Sequence, residues 1–195
     1  MSFHKIKSYA KINLILNITG KDSLLHKIES IIMFTALHDE IFIKTIKSNN
    51  HYISFFGKFS AGINMNNTVT KLLNILENKG LLKDKKFRIK INKKIPNRAG
   101  LGGGSMNAAN ILRYLIKKKI VKANKKEISE ICKLIGSDVI LGLKSVNSIL
   151  TSKNKIKYFN NTQKFNILII RPNFGCNTKK IYSYINGPPL APVPT

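Results

Sequence analysis

The stretch RAGLGGGSMNAANIL, Arg98 to Leu112, decides how this chain is read. Four of the five residues from Gly100 to Gly104 are glycine, and Ala108, Ile111, Leu112, Leu115 and Ile116 then recur at helical spacing. Upstream, KKFRIKINKKIP alternates through Phe87, Ile89 and Ile91, the period of a strand. The glycines therefore lie between a strand and a helix N-terminus. Glycine lets backbone amides approach a ligand with no Cβ in the way, and a helix start adds unpaired N–H groups and the positive end of its dipole. A phosphate is the natural occupant. No Gly-Lys-Ser/Thr closes the segment, so it is not a Walker loop. Ser105 stands where a dinucleotide fingerprint or a protein-kinase glycine loop would have its last glycine. A glycine-rich turn that merely packs strand on helix is the competing reading.

Outward from the loop the pattern is mixed, and the expected class is α+β. YAKINLILNI alternates, with Ile12, Leu14, Leu16 and Ile18 expected on a core face and Lys11, Asn13 and Asn17 on a polar one. IESIIMF, DEIFIKTI and HYISFF read as separate further strands of an antiparallel or mixed sheet. NNTVTKLLNILEN changes period, placing Val69, Leu72, Leu73 and Leu76 on one helix face with Asn67 or Thr68 as cap. A second helix is expected in ANKKEISEICKLI, capped by Asn124 with Glu127 reaching back. NSILTS, KIKYF and KFNILIIRP read as late strands, and no internal repeat is visible.

Composition bounds the function. A chain of 195 residues that is 43% hydrophobic buries one core, with room for a small appendage. Apolar runs stay below the roughly 18 residues of a membrane span, and the N-terminus shows no cleavage site, so a cytoplasmic protein is expected. Cys132 and Cys176 stand far apart and outside any CxxC pattern, which points to neither a disulfide nor a zinc site. A formal charge of +25 draws polyanions, yet only four of the 34 basic residues are arginine. The lysines are scattered, and no stretch interleaves them with aromatics as a stacking platform, so no specific nucleic-acid partner is expected. The charge would still steer anionic substrates. GPPLAPVPT, residues 187–195, breaks the Lys-, Ile- and Asn-rich bias and reads as an extended, disordered tail, foreign or frame-shifted in character.

KIPNRAGLGGGSMNAANIL resembles the phosphate-binding motif of the GHMP small-molecule kinases. SYAKINLILNITGK, the histidine of LLHKIESI, LHDEI, NNTVTKLL, IGSDV and RPNFGCNTKKIY resemble, in order, further landmarks of one branch of that family. The likeness covers about residues 6 to 185. It implies transfer of phosphate from ATP to the 2-hydroxyl of 4-diphosphocytidyl-2-C-methyl-D-erythritol, a step of the non-mevalonate isoprenoid pathway. The implied fold joins a domain like the second domain of ribosomal protein S5 (residues 1–160) to a ferredoxin-like C-terminal domain, of which only a truncated beginning (161–186) is expected here. A monomer or homodimer without a membrane partner is implied.

By the same resemblance Lys11 and Asp138 are the catalytic pair. A carboxylate can take the hydroxyl proton, and an ammonium keeps it ionised and offsets charge on the attacking oxygen. The implied ATP-binding segment is Pro96, Asn97, Arg98, Ala99, Gly100 and Leu101, continuing through Gly102, Gly103, Gly104, Ser105 and Met106. Mg2+ is implied on the ATP, with no protein cage of its own. Asn13, His26, Thr178 and Tyr182 are the implied substrate contacts. The residues alone leave plainer readings open: a solvated strand lysine for Lys11, a cap or turn for Asp138, an exposed loop histidine for His26, a helix cap for Thr178, and caps or an adenine neighbourhood for Asn66 and Asn67. Three departures stand out. Met106 replaces a serine, Leu25 a tyrosine and Ile140 a proline; with the early end, they make a catalytically impaired remnant with weak anion or RNA binding the alternative reading.

Overall fold

A computed structural model describes residues 2–21, 26–153, 155–160 and 165–171. Its elements are β1 (His4–Lys21), β2 (His26–Ile46), β3 (Tyr52–Phe56), α1 (Thr68–Asn78), β4 (Lys86–Asn92), α2 (Gly103–Lys117), α3 (Lys125–Ile135), α4 (Val139–Gly142), β5 (Ser148–Leu150) and β6 (Ile156–Tyr158). The chain forms two compact units: Met1–Ala10, Ala36–Asn97 and Gly102–Ser145 make the first, and Lys11–Thr35, Arg98–Leu101 and Val146–Thr195 the second. The paired strands β1 and β2 each run through both.

The first unit holds a mixed sheet with helices on one face. The end of β2 runs antiparallel to β4, setting Ile41 beside Ile91 and Ile43 beside Ile89, and β3 runs parallel to β4 with Ile53 beside Ile89. Parallel neighbours need a crossover, which α1 provides. Period-two alternation turns Ile41, Ile43, Phe87, Ile89 and Ile91 to one side, where Val69, Leu72, Leu73 and Leu76 of α1 meet them. Ala108, Ile111, Leu112 and Leu115 of α2 join the same core, and these side chains are almost wholly buried. Each large one stabilises the fold by roughly 1.5–3 kcal/mol. The helix starts follow from local chemistry. Asn67 Oδ1 accepts the N–H groups of Val69 and Thr70 at 3.0 and 3.1 Å. Asn124 and Glu127 close a capping box on α3, with bonds of 3.0 and 2.7 Å.

In the second unit β5 lies antiparallel to the start of β2, with Ile31 beside Ile149, and β6 is antiparallel to β5. Ser30 Oγ donates to Ile15 O at 2.7 Å, and Glu29 Oε1 accepts the Ser152 N–H at 3.1 Å.

Three expectations are corrected. IESIIMF and DEIFIKTI form one strand, β2, because the residues joining them include no glycine or proline to break it. Leu14 and Leu16 are 52% and 40% exposed while Lys11 is buried, so neither side follows the expectation; Asn13 and Ile15, on the side of Lys11, are exposed as well. All four helices belong to the first unit, so among the described residues no helix of the second covers this end of β1. Residues 165–171 of KFNILIIRP form no strand, since no neighbour pairs with them among the described residues, and Phe165, Leu168 and Ile170 are exposed. The expected tail 187–195 and Thr178, with the helix it would cap on the plainer reading, lie outside the described residues.

Candidate active site

The strand–loop–helix unit is built as its sequence demands. Gly100 and Gly102 take φ of +72° and +68°, the left-handed region that glycine enters without strain, and Arg98 follows at +53°. Gly102 immediately precedes α2 and offers no capping side chain. The N–H groups of Gly103, Gly104 and Ser105 therefore have no acceptor within the helix; the first to close is Met106, onto Gly102 O at 2.8 Å. No acidic residue stands in this first turn, so the helix's own side chains do not repel an anion there. Ser105 Oγ lies 3.9 Å from where a Cβ on Gly136 would stand, which brings the turn before Asp138 beside the start of α2.

A buried carboxylate fixes the geometry. Asp39 is fully buried, and its Oδ1 accepts the N–H groups of Lys94 and Ile95, each at 2.8 Å. Its Oδ2 accepts from Asn107 Nδ2 at 2.9 Å and from the Lys93 ammonium. One side chain thus ties the exit of β4 to α2, with its charge matched by a buried lysine. The approach is close: a Cβ on Gly103 would stand 3.1 Å from Ile95 Cγ2 and 3.2 Å from Lys93 Nζ. Thr68 Oγ1 donates to Gly104 O at 2.7 Å, and Asn97 Nδ2 to Phe59 O at 2.6 Å, which secures both flanks of the loop.

Sequence reasoning missed Asp39, Lys93, Asn107 and Thr68 as parts of this scaffold. The signal available was an aspartate in the long apolar run of β2, in a chain with only nine acidic residues.

Lys11 is only 7% exposed, which removes the reading of a solvated lysine. Its Nζ donates to Asn13 Oδ1 at 3.0 Å, and its backbone N–H donates to Leu101 O at 3.1 Å, tying β1 to the glycine loop. Asp138 immediately precedes α4 yet makes no side-chain capping bond to it, so capping does not account for it. Lys11 and Asp138 belong to different units. Met106 is wholly buried: its Sδ would stand 3.0 Å from a Cβ on Gly142, so its side chain serves the contact between α2 and α4. Ile140, where a proline was the family expectation, sits half-buried inside α4. His26 is the first residue of β2, and its side chain, like Leu25, Thr178 and Tyr182, lies outside the described residues. Among the described residues no group of three or more His, Cys, Asp or Glu could hold a metal, and no helix is long and apolar enough to cross a membrane.

A strand, a glycine loop opening onto a helix, and an aspartate-led short helix beside it define a class: residues 67–148 match the family described as the GHMP kinases N terminal domain. The 4-diphosphocytidyl-2-C-methyl-D-erythritol kinase of Pelagibacter ubique (strain HTCC1062) is 55% identical over 95% of this chain and 66% of that one. Its counterpart in Petrotoga mobilis (strain DSM 10674 / SJ95) is 32% identical over 93% of this chain and 69% of that one. The crystal structure of a 4-(cytidine 5'-diphospho)-2C-methyl-D-erythritol kinase shares the fold, with a TM-score of 0.64 at 22% identity over 80% of this chain and 55% of that one. The chain belongs to the 4-diphosphocytidyl-2-C-methyl-D-erythritol kinase family of the GHMP kinases. It spans about two thirds of the length of these curated relatives.

Proposed function

We propose that this chain transfers the terminal phosphoryl group of ATP to the 2-hydroxyl of 4-diphosphocytidyl-2-C-methyl-D-erythritol. The observation that carries the reading is the start of α2, where three open N–H groups are held against β4 by the Asp39–Lys93–Asn107 clamp. That cradle fits a chain of phosphates. ATP supplies the phosphoryl group, and magnesium bound with it would neutralise the charge of its phosphates.

The protein's own residues supply position and proton transfer. Asp138 accepts the hydroxyl proton as the oxygen bonds to phosphorus, and the bond to the leaving ADP oxygen breaks. Lys11, desolvated and oriented by Asn13, offsets the negative charge growing on the attacking oxygen. The glycine loop keeps the reacting atoms in line, which dominates a reaction with little covalent chemistry for the protein to do. An impaired remnant is less well supported, because Met106 faces the core and its replacement of a serine removes nothing from the loop's open N–H groups.

The test is ADP release by the purified chain with Mg-ATP, with and without the cytidyl substrate, beside an Asp138→Asn control. Substrate-dependent turnover lost in the control supports the reading. Folded protein that releases no ADP would overturn it.

A further inference from the structure

The other face of the first unit's sheet carries an arrangement that the kinase reading does not use. Alternation that turns Ile41, Ile89 and Ile53 to the helices turns Phe42, Lys90 and Ser54 outward, and the strand register sets these three side by side. One row along, Tyr52 stands beside Arg88 and Arg88 beside Lys44. Tyr52 and Phe56 are 52% and 45% exposed.

The rings and cations interleave. The Arg88 guanidinium lies 5.5 Å from the Tyr52 ring centre, and the Lys44 and Lys90 ammonium groups lie 4.8 and 5.6 Å from that of Phe3. Lys5 lies 5.6 Å from the Phe42 ring, which in turn is 6.4 Å from Phe56. Along β2, β3 and β4 the one acidic side chain turned to this face is Glu40. It is matched by Lys5 at 2.6 Å and Lys94 at 3.1 Å and accepts from Asn92 at 3.0 Å. The hydrogen bonds from Lys5 and Lys94 hold its pKa down at about 2, so it stays ionised and spoken for. The surplus on the face is cationic.

We propose that this face binds single-stranded nucleic acid. A row of cations meets a phosphate backbone, and flat exposed rings between them meet the faces of unpaired bases, which a duplex hides. The complementarity is specific in kind: a protein partner has no need of so uniform a charge, and rings set flat between cations match bases strung along a phosphate backbone. The residues come from four separate segments of sequence, so the platform exists only once the strands are in register. It also lies across the sheet from α1 and α2, so it neither needs nor obstructs the glycine loop.

The test is fluorescence anisotropy of a labelled oligouridylate and of a duplex of the same length, titrated with the whole chain at low and moderate KCl. Tyr52→Leu and Phe56→Leu keep apolar cover on the strand but remove the flat rings. Each is expected to weaken single-strand binding about ten-fold with little change in salt dependence. Arg88→Gln and Lys90→Gln are expected to lower the slope of log affinity against log salt by about one each. Lys125→Gln with Lys126→Gln, on α3, is expected to bind as the parent does, and circular dichroism checks that every variant is folded. Equal binding of duplex and single strand, leucine variants that bind like the parent, or loss of binding in the α3 variant would each overturn the proposal. So would no binding of the oligonucleotide, with or without capture by phosphatidylserine vesicles.

Discussion

Asp138 precedes α4 without capping it, so an amide in its place leaves the helix start as it was. Asp138→Asn is therefore expected to lower kcat by at least about 100-fold while the thermal midpoint stays within about 2 °C. A drop in midpoint with kcat preserved would move Asp138 from the chemistry to the scaffold. His51 poses a different problem, since its ring stacks on Phe87 at 5.6 Å and its Nδ1 accepts the Phe87 N–H at 3.0 Å. Burial first, and the nearby Lys86 second, push its pKa down from 6.5 to about 4. Between those values the unfolded chain holds a proton that the native chain refuses, so this stability is complete above about pH 6.5 and is lost as pH falls toward 4. Asn can still accept the Phe87 N–H but does not titrate. The urea midpoint of His51→Asn is expected to change less than the parent's between about pH 7 and about pH 5. Identical pH dependence in both proteins would acquit the histidine.

Elements with strong local signals were legible in the sequence. α1 and α3 begin at the asparagines whose side chains satisfy their first N–H groups, and the apolar spacing of α1 names the same four residues that the core buries. The glycine loop was legible for the same reason, being a backbone requirement written into residue type. What escaped was set by register and by partners distant in sequence. No local pattern shows that Asp39 will be walled in by Lys93, Asn107 and two backbone amides, or that Leu14 will lie without a helix over it. The clamp can be weighed directly. Asp39→Ala leaves the Lys93 ammonium buried without its carboxylate, and the expected loss is about 3–5 kcal/mol of unfolding free energy in urea titration. A loss below about 1 kcal/mol would show that water replaces the carboxylate at no cost. Where α4 meets α2, an added Cβ on Gly142 would stand 2.6 Å from Ala109 Cβ, so the contact is tight and Met106 fills what space remains. Met106→Ser, which places there the serine that the resemblance implies, is expected to cost about 2–5 kcal/mol of stability and to leave KM for ATP no lower. A lower KM would mean that this side chain reaches the phosphates after all.

Across the whole chain, charge is the property that folding changes least. Nine acidic residues face 34 basic ones, and the acids described here are largely committed: Asp39 to Lys93, Glu77 to Lys86, Glu40 to Lys5 and Lys94, and Glu127 to the start of α3. With 34 basic residues to nine acidic ones, the molecule carries a large excess of positive charge. Both substrates of the proposed reaction are polyanions, so the field of the molecule should act on their arrival and not on the transfer step. Screening separates the two, because the distance over which charges are felt shrinks from about 30 Å at 0.01 M salt to about 10 Å at 0.1 M. Raising KCl from about 10 mM to about 300 mM is expected to lower kcat/KM for the cytidyl substrate several-fold and to leave kcat nearly unchanged. A kcat that falls in step with kcat/KM would place the salt-sensitive charges at the reacting atoms. A kcat/KM that ignores salt would mean the lysine excess is felt by neither substrate, and that the surplus charge does no work in this reaction.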